Sequence, residues 1–349
     1  MLNRIAKTNI KKPIAKQKPT THSARNIKQW IVLSREASVT DYGVYPAKRE
    51  IREYIRNGLI LLDKPSGPTS HQVDMLVKDL FREFGIIITK NSHGGTLDPR
   101  VSGVLVIALE NSTKLMPILL KCNKEYVALM NLHRDASKQE ITKACKSFVG
   151  KIIQLPPVKS AVLRAERERE IYSLDVLEIS GRNVLFRVGC EAGTYIRRLC
   201  DDIGKKMGMG AHMQELRRTK SGAVYEKSLV TLQQLADALA EMKNGNEGPI
   251  RKIVLPMELV ADNIKAVVIK DSAVGAICNG APLAVQGCSR VEAEIKEGDW
   301  VGCFSLKGEF VSIGRAVRDY EKNFKRGMFV KTDRVLMKKG VYPSKWGKK

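Results

Sequence analysis

"HGGTLDPRVSGVLVIAL", residues 93–109, joins two different textures. Its second half, 101–109, is almost wholly apolar and rich in Val, Leu and Ile. A short run of this kind, entered from a turn, predicts a buried strand. Its first half, 93–103, sets three glycines, Ser, Thr and Pro around one carboxylate, Asp98, with His93 five residues earlier. Glycines let a backbone approach a ligand closely, and a loop at the end of a rigid element is a usual place for a site. Asp98 therefore has two readings. An Asp ahead of Pro99 can cap N–H groups of its own turn, the commoner role for such a residue. It can also supply a carboxylate for chemistry. The loop alone leaves both open.

Working outward, "GLILLDKPSGPTSHQVDMLVKDLFREFG" (58–85) predicts a strand at 59–62, a turn at DKPSGP and a helix capped by Thr69 or Ser70. The helix stripe is Val73, Leu76, Val77, Leu80, Phe81 and Phe84, closed by Gly85. Further strands are expected at 125–132 and 184–190, the latter alternating Val184, Phe186, Val188 and Cys190 on one face. "GTYIRRLCDDIGKKMG" (193–208) predicts a helix from Thr194, with Ile196, Leu199, Ile203 and Met207 inward. "KNGNEGPI" (243–250) is the most loop-like segment, and a boundary is placed soon after it. From 264 to 341 a strand at 265–269 and a short helix at 272–278 lead into short strands with tight turns, the pattern of a compact barrel. The chain thus reads as α+β, a mixed-sheet domain followed by a small β-barrel-like module.

With 349 residues there is length for two domains. The longest apolar run is too short to span a bilayer, and residues 1–20 lack the apolar core of a secretory leader. Seven cysteines are scattered without a CxxC, and the five histidines have no metal-ligand spacing. Buried free thiols in a reducing, cytoplasmic setting (nucleolar in a eukaryote) are expected, with no metal and no cofactor. The formal charge of +23 is uneven. Residues 1–35 carry nine Lys/Arg and no acid, and residues 322–349 carry ten against Asp333, so the two ends hold +18 of the +23. Basic ends on a balanced body suit a polyanion, nucleic acid first, or a pair of solvated tails.

Two further constellations accompany Asp98. In "GTYIRR", Tyr195 and Arg197 fall in the first turn of the expected helix. A cation there faces the positive end of the helix dipole, and an anion such as Asp98 or a phosphate would offset that; a solvated Arg is the plainer reading. In "KEYVALMNLH" (124–133), Tyr126 lies in an apolar strand. Such a Tyr is usually core, but it is also what a pocket needs to stack a flat base.

In order along the chain, "GLILLDKPSGPTSH", "HGGTLDPRVSGVL", "KEYVAL", "PPVKSAV", "GTYIRRL" and "GAHMQELRRTKSG" resemble the motif series of the TruB/dyskerin pseudouridine synthases. The resemblance spans about residues 45–345, and 264–341 resembles the PUA RNA-binding domain appended in this family. Within it the chain is most similar to the archaeal catalytic subunit of the H/ACA guide ribonucleoprotein. The resemblance implies a basic N-terminal extension at 1–49, partly packed on the PUA domain, a pseudouridine synthase domain at 50–260, the PUA domain at 264–341 and a tail at 342–349. It implies Asp98 as the catalytic aspartate and Tyr126 as the tyrosine that stacks on the target base and takes part in proton removal. Tyr195 would line the pocket, Arg197 would pair with Asp98, and Leu216 would close the apolar wall. His93 would lie near the displaced nucleotide, and Lys64 and Pro65 would support the site from below.

The implied activity is conversion of uridine to pseudouridine in rRNA, and by extension tRNA, directed by box H/ACA guide RNA. The implied partners are that RNA, a zinc-ribbon-type small subunit, a Gar-type subunit and a kink-turn-binding protein, with no membrane. Two rivals stand beside it: a stand-alone enzyme acting on the T-loop of tRNA, and a non-catalytic RNA-binding scaffold. The chemistry is consistent with the implied roles. A stacked uridine must be flipped out before its glycosidic bond is reachable. An ionised Asp, favoured by a neighbouring Arg, can then act as nucleophile or electrostatic stabiliser; attack at C6, attack on the ribose and help with a C2′ deprotonation all stay open. One segment departs from the pattern. Where a strongly basic loop is expected after "PPVKSAV", "LRAERERE" (163–170) alternates charges, which predicts a solvated, helical segment.

Overall fold

The computed structural model describes residues 28–36, 38, 41–156, 165–321 and 326–343. Most of the expected basic extension and tail lies outside these residues. Two sheets organise the rest. The larger runs Val254–Pro256, Gly58–Lys64, Ser102–Leu109, Ala211–Ser221, Lys124–Leu132, Asn183–Cys190, Arg167–Ser180, Gly150–Gln154. Its neighbours are antiparallel except at one seam, where Ser102–Leu109 meets Ala211–Ser221 in parallel through only two pairs, Ser102↔Arg217 and Gly103↔Arg218. A Cβ on Gly103 would lie 2.2 Å from the Arg218 carbonyl oxygen, and its φ is +101°. Only glycine lets the two half-sheets approach so closely. Beyond the seam Asn91–His93 fills in beside Ser102–Leu109, pairing His93 with Ile107.

Helices pack where the stripes direct them. Ser70–Glu83 starts with a capping box between Thr69 and Gln72. With Leu232–Lys243, capped likewise by Thr231 and Gln234, it covers Ile60, Leu62, Leu105 and Ile107 in one continuous core. The buried stripe is narrower than the helical period predicts. Val73, Val77 and Phe81 are buried, whereas Leu76 is 45% exposed, because the buried arc turns toward Asp74 and leaves Leu76 outside it. Ile196–Lys206 begins two residues later than expected, with Tyr195 in the N-cap position, and seals the other half-sheet with Ile196, Leu199 and Ile203.

The alternating-charge segment is corrected by the structure. Residues 167–170 open a long strand, Arg167–Ser180, not a helix. Its charges are cross-strand partners: Lys151 bridges Glu168 at 2.9 Å, and Arg169 faces Glu191 at 3.8 Å. Period-two alternation places like charges on one face of a strand, which a helix would scatter.

The second sheet runs Trp30–Val32, Cys288–Glu292, Lys265–Ile269, Trp300–Phe304, Phe310–Ala316, Met328–Val335, Leu283–Ala284. Trp30–Val32 of the N-terminal segment is therefore an edge strand of the C-terminal module, and Lys28 bonds Glu292 at 2.7 Å. The module is not a free bead. Phe304, Phe310 and Leu336 share a core with Leu59, Leu61, Val104 and Val106 of the first sheet. All seven cysteines are free thiols and six are buried.

Candidate active site

The seam in the large sheet is where the Asp98 loop enters. Ser70, at the start of its helix, accepts the Leu97 N–H at 2.8 Å and donates to the Leu97 carbonyl at 3.0 Å. The Gly67 N–H donates to the Pro99 carbonyl at 2.8 Å, and Ser66 donates to that of Arg100 at 3.1 Å. Lys64 is fully buried and donates to the carbonyls of Pro65, Pro99 and Val101 at 2.9, 3.1 and 2.8 Å. All three ammonium donors are thus spent on this turn and its neighbour. Burial pulls the Lys64 pKa down and the Asp98 charge pulls it back up. Lys64 thus holds the loop from beneath, while Pro65 is exposed and contributes its carbonyl to Lys64.

The two readings of Asp98 now separate. The turn is closed by its backbone carbonyl, which accepts the Val101 N–H at 3.0 Å. Its carboxylate turns away and meets Nη2 of Arg197, near the start of the Ile196–Lys206 helix. Both side chains remain more than half exposed, so the pair faces solvent and is open to a ligand. The anion also offsets the unfavourable placing of a cation at the positive end of the helix. Asp98, Val101, Arg197, Met213 and Leu216 line a cleft of about 380 Å3, within the range of about 300–1,000 Å3 usual for small-ligand pockets. Leu216 forms part of the cleft wall.

The other expected residues surround the cleft without lining it. Tyr126 stands opposite Val188 and Arg218 in its sheet and is 8% exposed. Burial raises its pKa, while the Arg218 guanidinium facing it lowers it. Tyr195 is half-buried, and its main chain is clamped by Gln154, which accepts its N–H at 2.9 Å and donates to its carbonyl at 3.2 Å. His93 lies on the short strand beside the seam, 3.8 Å from the Asp74 carboxylate. Burial depresses the His93 pKa and pushes that of Asp74 up to about 7. His93 is therefore not in the cleft: its pairing with Ile107 puts the ring on the buried side of the seam.

Three residues of this architecture escape sequence reasoning. Gln154 and Asp74 sit in strand and helix stretches with no local signal. Arg218 had one available: in "ELRR", adjacent arginines on a strand must face opposite ways. Arg217 turns to Asp63 and Glu226, at 2.9 and 2.8 Å, and Arg218 turns inward. Among the described residues no group of three or more His, Cys, Asp or Glu could hold a metal ion.

Four family models match in succession: the DKCLD domain over residues 20–74, the TruB family pseudouridylate synthase N-terminal domain over 85–196, the tRNA pseudouridylate synthase B C-terminal domain over 197–261, and the PUA domain over 265–336. The probable tRNA pseudouridine synthase B of Archaeoglobus fulgidus is 50% identical over 308 residues, 87% of this chain and 93% of its own length. This chain belongs to the TruB family of pseudouridylate synthases. The protein of the same name from Methanocaldococcus jannaschii is 46% identical over 328 residues, 93% of this chain and 96% of its own. Among solved structures, the synthase is similar to a chain of a Cbf5-Nop10-Gar1 complex, with TM-score 0.85, 45% identity, and 91% and 97% of the two chains covered. It is also similar to a chain of an H/ACA ribonucleoprotein bound to a substrate RNA containing 2′-deoxyuridine, with TM-score 0.84, 43% identity, and 92% and 99% covered. The synthase is thus an RNA isomerase with a PUA domain. Its Asp98–Arg197 pair joins the N-terminal family segment to the first residue of the C-terminal one.

Proposed function

We propose that this synthase isomerises uridines selected by a box H/ACA guide RNA, as the catalytic subunit of a ribonucleoprotein. A zinc-ribbon-type small subunit, a Gar-type subunit and a kink-turn-binding protein would complete the particle. The observation that carries the catalytic reading is the solvent-facing Asp98–Arg197 pair at the mouth of a cleft walled by Leu216. The guided form is supported by the likeness, over nine-tenths of the chain, to subunits of Cbf5-Nop10-Gar1 and substrate-bound H/ACA assemblies.

In the isomerisation the N1–C1′ bond breaks, the freed uracil turns, and a C5–C1′ bond forms; the proton lost from C5 is matched by the one gained at N1. Asp98, held by Arg197, supplies the anion that engages the nucleotide as the bond breaks. Leu216 and Met213 give the base an apolar wall that excludes water. Tyr126, under the loop, takes part in removing the C5 proton and stacks on the base once the nucleotide enters. Tyr195, clamped by Gln154, bounds the pocket.

The test is reconstitution with and without an H/ACA guide, followed by pseudouridine mapping on rRNA and tRNA. Guide-dependent modification is the expected result. Modification of tRNA alone at a comparable rate would favour the stand-alone reading; the sequence relatives are named as probable tRNA pseudouridine synthases. Asp98→Asn should abolish turnover while guide-RNA affinity holds; substantial turnover would overturn the assignment of Asp98.

A further inference from the structure

Three cations lie beneath the Asp98 loop: Lys64 at 0%, Lys124 at 5% and Arg218 at 1% exposure. None forms an ion pair with a carboxylate among the described residues. Their donors go to backbone carbonyls instead. Lys124 donates to those of Leu119 and Cys122. Arg218 donates through Nε to the Val104 carbonyl at 2.7 Å and through Nη2 to the Gly95 carbonyl at 2.9 Å. A buried lysine can lower its burial penalty by losing its proton, and burial does bring the Lys124 pKa down to about 8. An arginine cannot. Arg218 is the one permanent charge in this floor, and a buried, uncompensated charge is costly enough that a fold gains nothing by keeping it for packing alone.

The positions of its contacts indicate its use. The Gly95 carbonyl belongs to the glycine-rich loop three residues before Asp98. The Val104 carbonyl belongs to the strand that the loop enters. The guanidinium also faces Tyr126, the cross-strand neighbour of Arg218. Gly95 has φ +124°, and a Cβ there would lie 3.5 Å from the Arg218 Nη1, so the loop lies directly over the cation. The parallel seam places Arg218 beside Gly103. One side chain therefore touches both halves of the split sheet, the loop that carries Asp98, and Tyr126.

We propose that Arg218 is a positioning residue for the isomerisation, a fixed cation that aligns the Asp98 loop with Tyr126 across the seam. This rests on the reading of Asp98 and Tyr126 above. Arg218 touches no reacting atom itself; it acts through Tyr126 and through the loop.

The experiment is a double-mutant cycle on the reconstituted particle, read as single-turnover rate against pH at saturating substrate RNA. Arg218→Lys keeps a cation but cannot hold both carbonyls and face Tyr126 together; Arg218→Gln removes the charge. The expected result is a fall of roughly ten- to a hundredfold at neutral pH, below most of the roughly 10²–10⁴-fold range of a proton-transfer group itself, because Arg218 acts on that group indirectly. Part of the loss is regained at higher pH, because a phenol without its cation titrates later. In a Tyr126→Phe background the same changes should cost several-fold less than in the parent, the remainder reflecting the loop, and leave no pH displacement. A merely structural role predicts additive losses and an unmoved pH profile, and either result overturns the proposal. If the Gln variant does not fold, as thermal melting and guide-RNA affinity will report, the Lys variant carries the cycle. Activity retained by Asp98→Asn would instead remove the underlying reading. An inactive Asp98→Asn together with additive Arg218 and Tyr126 losses would remove only the role of Arg218.

Discussion

Glu258 offers a quantitative test of how the N-terminal segment, the catalytic domain and the PUA domain are joined. Its carboxylate takes a two-pronged bond from Arg49, at 3.1 and 2.7 Å, and accepts the Phe310 N–H at 3.0 Å. The Arg49 and Glu258 side chains are only 9% and 14% exposed, so salt and water screen the pair little. Glu258→Gln removes the charge and nearly keeps the shape. It leaves Arg49 buried and unpaired, for which breaking such a pair costs about 3–5 kcal/mol. The amide oxygen can still accept one bond, returning about 1 kcal/mol. The expected loss is about 2–4 kcal/mol. Arg49→Met in the same chain removes the stranded charge, so the double variant should be more stable than the sum of the singles by about 1–3 kcal/mol. Urea unfolding followed by tryptophan fluorescence measures all four corners, since Trp300 of the PUA sheet lies near this junction. A single-variant loss below about 1 kcal/mol, the range of a surface pair, would refute the reasoning, as would simple additivity. Single-turnover rates should not change, because neither residue lines the cleft.

Tyr126→Phe keeps the ring and loses the hydroxyl; a strongly reduced rate with substrate still bound is expected, with Tyr126→Ala also weakening binding, and a Phe variant as fast as the parent would leave stacking as the only role. For Lys124 the folded pKa of about 8 lies below the ordinary 10.5. Between those values the unfolded chain holds a proton that the folded chain does not, so stability should rise with pH across that window, by about 3 kcal/mol in all. Lys124→Met should flatten that rise in urea titrations from pH 7.5 to 10. Removing residues 1–27 deletes seven Lys/Arg while sparing Lys28, which is committed to Glu292. The log–log salt slope of guide-RNA binding should then flatten by between about 1 and 6, with the saturated rate unchanged, and an unchanged slope would mean that these cations do not touch RNA.

Local pattern alone determined much of this protein. Strand and helix periods placed the elements around Asp98 to within a few residues, because buried apolar faces repeat at 2.0 or 3.6 residues whatever lies opposite. Glycines and Ser/Thr caps marked their ends for equally local reasons. Six motifs in order carried the family, and with it Asp98, Arg197 and Leu216. The tertiary structure decided what local pattern cannot encode, namely which faces meet. Leu76 belongs to a helical stripe by period, but the arc that finds partners turns toward Asp74. The alternating charges at 167–170 suit a solvated helix until Lys151 on the neighbouring strand and Glu191 just past another stand across from them. Asp98 could have capped its own turn; its freedom depends on a carbonyl closing that turn and on Arg197 arriving from 99 residues away. His93 lies on the buried side of the seam against Asp74 and does not line the cleft, while Arg218 ends beside Tyr126 and under the loop that carries Asp98. Burial and long-range pairing set the placing and reach of each of these groups, and neither exists until the two half-sheets close on Gly103.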